Sequence, residues 1–245
     1  MGLFDLFRRK VEPPSKEVII QRAFAELDKH LHRASIAELG GSRPTSDPLR
    51  SRFTGDFVML PEEEWPTSNG QLLQAFLQIN VSELPYVPAQ LKGFQIVTIF
   101  IDEENVPYDQ QPSGAGWVLR AYTSTDGLAP RKNPIAGSTL KACEVSWTKS
   151  DSEAPNWEDA WSIADLSKFN ELENSGSIFY ERYNNQHSTK VGGWPSLIQS
   201  ELRMGPNSFV LQIDSEEKAG WSYLDSGTIY VGCVDGVWVL EAQCY

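Results

Sequence analysis

Cations, cysteine, histidine and long apolar runs are all scarce in this chain, and each scarcity removes a class of function. Lys and Arg number 21 against 33 Asp and Glu, a net charge of −12. Affinity for nucleic acid rests mainly on cationic contacts that release counterions, so a chain of this charge excludes nucleic acid and favours a basic partner. The three cysteines, Cys143, Cys233 and Cys244, form no CxxC pair. With no secretory leader to read, they are expected to be reduced thiols of a cytoplasmic protein. No apolar run approaches the ~20 residues that cross a bilayer, so no stable membrane insertion is expected. His30 and His32 stand two apart on a predicted helix and face away from each other, while His187 sits alone in the polar loop YNNQHSTK. Neither Glu62–Glu64 nor Asp102–Glu104 has the alternating oxygen ligands and closing glutamate of a calcium loop. The patterns GxxxxGKS/T, GxGxxG, HExxH and GxSxG are absent as well. No metal, no cofactor and no catalytic residue is therefore assigned.

What is present is a repeat. FLQIN (Phe76–Asn80) recurs as VLQID (Val210–Asp214), and Gly93 recurs as Gly227, each pair at the same offset of 134 residues. Each half also carries a Trp-Pro upstream, Trp65-Pro66 and Trp194-Pro195. Two matches in one register point to a duplicated strand, loop and strand unit, hence to two similar lobes.

Along the chain, MGLFDLFRRK (residues 1–10) is apolar, then basic. Its plain reading is a frayed or self-packed terminus, and the competing one is a weak membrane peg. Ser15 caps a predicted helix running to about Leu39, with Ile20, Phe24, Leu27 and Leu31 on one face and Gly40-Gly41 as its stop. Ser42 to Pro48 reads as a linker. From Phe53 onward short apolar runs rich in β-branched and aromatic side chains predict strands: QAFLQINV, FQIVTIFID, GWVLRAYT, CEVSW, SFVLQID, TIYVGCV and VWVLEAQ. Asp235-Gly236 predicts a two-residue hairpin turn, and Trp157–Glu173 a second helix. The fold class read from this pattern is α+β, mainly antiparallel β, with two similar lobes and peripheral helices. Residues 1–45 form a tip and docking helix, 46–125 a first β lobe and 126–245 a second, with 46–245 one compact domain.

The elements SRFTG with LPEEEWP (Ser51–Pro66), FLQIN, KVGGWPSLIQ (Lys190–Gln199), VLQID and LDSGTIYV (Leu224–Val231) resemble the bacterial YwqG-like family. The chain departs from that pattern at Thr54, where a second glycine is usual, and at Tyr223-Leu224, where Trp-Gly is usual. The resemblance implies a mostly β, duplicated fold, no established reaction, and an immunity-like or accessory role beside secreted toxins.

In a strand Gln212 and Asp214 share one face, as Gln78 and Asn80 do in the first half. Two readings follow. The polar stripes converge on a cleft between the lobes with Trp194 and Asp225 nearby, or they tie loops to strands. Gly192 and Gly193 bring backbone close to a neighbour or a ligand, and Trp194 either stacks on that ligand or fills the core. The function expected is a non-catalytic binding protein that engages a protein partner, its binding residues Trp194, Gln212, Asp214, Asp225, Gln78 and Asn80. The alternative is a small-molecule-binding enzyme whose Asp214 and Asp225 divide acid and base roles across the cleft.

Overall fold

The strand-forming runs pair into one antiparallel sheet. The computed structural model describes residues 13–40, 46–135, 138–199 and 201–245. MGLFDLFRRK and most of the Ser42–Pro48 linker lie outside those residues. In chain order the elements are α1 (Lys16–Leu27), β1 (His32–Leu39), β2 (Arg52–Phe53), β3 (Phe57–Met59), β4 (Thr67–Ser68), β5 (Gln71–Leu72) and β6 (Gln74–Asn80). There follow β7 (Ile96–Ile101), β8 (Gln111–Pro112), β9 (Trp117–Tyr122), β10 (Ala129–Arg131) and β11 (Cys143–Glu153). Three short helices come next, α2 (Trp157–Ile163), α3 (Ser167–Asn170) and α4 (Ser175–Arg182). The chain ends in β12 (Lys190–Gly192), β13 (Phe209–Ile213), β14 (Thr228–Val234) and β15 (Val237–Gln243).

Eleven strands form a large curled half-barrel in the order β8-β15-β14-β13-β12-β1-β11-β2-β6-β7-β9. Ser113, just after β8, links the two ends of the half-barrel: its N–H donates to the Trp238 carbonyl of β15, and Leu119 N–H of β9 donates to its Oγ. One core joins Phe53, Leu77, Ile79, Ile99 and Trp117 with Val145, Val191, Leu211, Ile229 and Leu240. That core joins residues from before and after residue 125.

The predicted strands from β6 to β15 all form. Asp235 (φ 51°) and Gly236 (φ 81°) make the tight turn that pairs Val234 with Val237. Two helix readings need correction. The helix predicted to Leu39 stops at Leu27, and His32–Leu39 becomes β1, hydrogen-bonded to β11 on one side and β12 on the other. Ala34, Ser35 and Ile36 are buried in succession because both faces of this central strand are covered, and sheet pairing overrides the helical propensity of Ala, Glu and Leu. His30 lies in a short 3₁₀ turn and His32 opens the strand, so neither is on a helix surface. The helix predicted over Trp157–Glu173 is broken into α2 and α3, with α4 beyond it. Together with α1 these helices enclose a second core built on Leu27, Ala154, Phe169, Phe179 and Tyr183.

Candidate functional site

The two glutamines of the repeat are clamps. Gln78 is fully buried: its Oε1 accepts from Val58 N–H at 2.9 Å, and its Nε2 donates to the carbonyls of Pro48 and Arg50 at 2.8 and 2.9 Å. Gln212, equally buried, accepts from Ser196 N–H at 2.9 Å and donates to the Ser188 carbonyl at 2.9 Å. Each thus holds the loops entering and leaving the short strand beside it, β2 and β12. Asn80 accepts from the backbone of Ser82 and from its hydroxyl, closing a turn. Trp194 is 3% exposed, donates from its indole to the His30 carbonyl at 2.8 Å and stacks on His32 with centroids 4.8 Å apart. These four side chains do not meet at a common cleft: loop and core contacts occupy them.

Gly192 and Gly193 are close approaches. A Cβ on Gly192 would lie 2.6 Å from the Tyr86 ring, and one on Gly193 3.0 Å from the Glu153 side chain. Glu153 is the partner of a buried cation that the sequence reading passed over. The Lys190 ammonium, with no exposure, reaches Glu153 Oε2 at 2.7 Å, Asn185 Oδ1 at 3.0 Å, the Gln186 carbonyl at 2.9 Å and Ser196 Oγ at 3.0 Å. Burial pulls this ammonium down to about 8, with Glu153 opposing the fall. A Ser–Lys pair can supply nucleophile and base. Here Ser196 is itself fully buried and bonded to Asn185 Oδ1 and the Gln186 carbonyl, so the cluster is a structural tie.

Asp214 lines a cavity. At the ends of β1 and β13 a space of about 550 Å³ is bounded by Glu38, His187, Asp214, Glu216, Glu217 and Lys218, with Ser146 of β11 on its wall. Asp214 is held by Ser215 N–H at 2.9 Å and the Thr228 hydroxyl at 2.8 Å. Glu216 Oε1 accepts the Thr189 hydroxyl at 2.6 Å. Burial pushes the Glu216 carboxyl above its ordinary range, the Thr189 hydroxyl pulls it back, and Asp214 adds to the rise. Among the described residues the wall has one lysine, Lys218, which donates to the Leu39 carbonyl at 2.7 Å. Four acidic residues therefore line the cavity, beside one ammonium that donates to a backbone carbonyl. Asp225 is exposed in the turn before β14 and does not line this cavity, so the two aspartates of the enzyme reading do not meet there. The signal that marked the missed residues was Ser215-Glu-Glu-Lys218, directly after the repeated VLQID.

Fold and cavity together define a β-rich domain with an acidic recess at the middle of its sheet. The chain belongs to the family described as a domain of unknown function, DUF1963, which matches residues 51–234. That match begins after β1, although β1 lies at the centre of the sheet. No curated protein matches the chain.

Proposed function

We propose that this chain is a non-catalytic binding protein that seats a basic surface of a protein partner in the acidic recess between β1 and β13. One observation carries the reading: Glu38, Asp214, Glu216 and Glu217 line the recess while Lys218 is turned to the Leu39 carbonyl. A net charge of −12 adds a long-range attraction that speeds encounter with a basic protein. A toxin-associated partner is the kind that the YwqG-like resemblance implies, and LPEEEWP, FLQIN, KVGGWPSLIQ, VLQID and LDSGTIYV support a YwqG-like place within the wider family. Three free cysteines support a reducing, cytoplasmic setting.

The same reading takes the chain as two lobes, 46–125 and 126–245, meeting at β1 and β11. Strand order supports it, since β12-β13-β14-β15 on one side of that pair mirrors β2-β6-β7-β9 on the other. So do the bulges at Phe76 and Val210, and a buried cation opposite each clamp, Arg52 facing Gln78 and Lys190 facing Gln212. The recess then lies at the seam.

Amide NMR during titration with a short oligolysine peptide tests the proposal. Shifts concentrated at residues 37–40 and 214–218, and abolished by Glu38→Gln with Glu217→Gln, are the expected result. Shifts scattered over the acidic surface, unchanged by that double substitution, would overturn it.

A further inference from the structure

A second cavity, of about 380 Å³, opens at the end of β15 and is lined by Tyr108, Glu201, Arg203, Tyr223, Leu224 and Glu241. Its lining includes a largely buried carboxyl. Glu241 is 4% exposed; its Oε2 accepts the Arg203 backbone N–H at 3.3 Å, and the Met204 backbone N–H also bonds to its carboxyl. Its Oε1 is buried with no hydrogen-bond partner among the described residues. Buried carboxyl oxygens ordinarily find a donor, and an isolated one marks a place where a donor is missing. The Arg203 guanidinium does not fill it, being paired with Asp109. The rim is aromatic and apolar. Tyr108 and Leu224 are 77% and 71% exposed, and Tyr223 is half-buried. Leu224 is also held at φ 45°, a left-handed conformation that a branched side chain rarely adopts and that clusters at binding sites.

We infer that this cavity binds a small organic cation, an alkylammonium or alkylguanidinium group, whose N–H donors meet Glu241 and Glu201 while its charge rides on the Tyr108 and Tyr223 rings. A charged donor completes the buried acceptor, tyrosine faces attract cations, and the volume falls in the range of small-molecule pockets. The site is separate from the acidic recess, sharing no lining residue with it.

Calorimetric titration of the full chain with n-butylamine, n-butylguanidine and n-butanol tests the inference. Saturable binding of either cation, none of the alcohol, and a loss of roughly tenfold or more in Glu241→Gln is the expected pattern. Tyr108→Ala, which removes an exposed ring and leaves the fold alone, is expected to weaken binding several-fold. No saturable binding of either cation, equal binding of the alcohol, or affinity unchanged in both variants would each overturn it.

Discussion

Gln78 and Gln212 carry the most directly testable consequence at the scale of the residue. Removing either amide leaves buried backbone groups unpaired, so Gln78→Ala and Gln212→Ala are each expected to lower stability by about 2–4 kcal/mol in chemical denaturation. A loss below about 0.5 kcal/mol, the ordinary surface value, would contradict the clamp reading. Asp159, 3% exposed in the first turn of α2, gives a pH signature. Its Oδ2 has no partner among the described residues, and burial pushes its carboxyl up to about 6. An unfolded aspartate titrates near ~3.9. Between those values the folded protein holds a proton that the unfolded chain has released, so this residue makes stability fall as pH rises from about 4 to 6. Asp159→Asn is expected to remove that fall and to raise stability at pH 7 by about 2–3 kcal/mol, at ~1.4 kcal/mol per pKa unit. Thr54 (φ 51°) and Leu224 (φ 45°) both stand on left-handed backbone, where glycine is the unstrained choice.

Among the elements, sequence legibility followed periodicity and turn chemistry. β6, β7, β13, β14 and β15 were readable as short β-branched runs, and the Asp235-Gly236 turn from its two residues alone. β1 was not, because Ala-Ser-Ile-Ala-Glu-Leu reads as helix locally and becomes strand only through pairing with β11 and β12 on either side. The repeated glycines were readable as a pair but not as to cause. Gly93 needs its φ of 93° and has open space around it, whereas a Cβ on Gly227 would lie 2.5 Å from the Gln243 carbonyl. Gly192 combines both constraints, φ 77° and the Tyr86 ring. Gly192→Ala is therefore expected to destabilise the β12–β1 seam by about 1–3 kcal/mol, and a neutral effect on thermal unfolding would count against that packing.

At the scale of the molecule, the net charge of −12 was legible in the composition, while the recess had to await the fold. It gathers Glu38 from β1, His187 from a loop and Glu216 from beyond β13, positions that no local spacing joins. Of the six binding residues named in advance Asp214 reaches it, whereas Gln78, Gln212 and Trp194 are occupied by hydrogen bonds that the sequence did not display. An account resting on charge at one recess is decided most directly by affinity capture with cross-linking from Lys218, comparing the native chain with its Glu38→Gln, Glu217→Gln form. The account predicts a stoichiometric basic protein, cross-linked at Lys218, released at high ionic strength and absent from the variant. A partner retained equally by both forms and cross-linked elsewhere, or no protein retained by either, would contradict it.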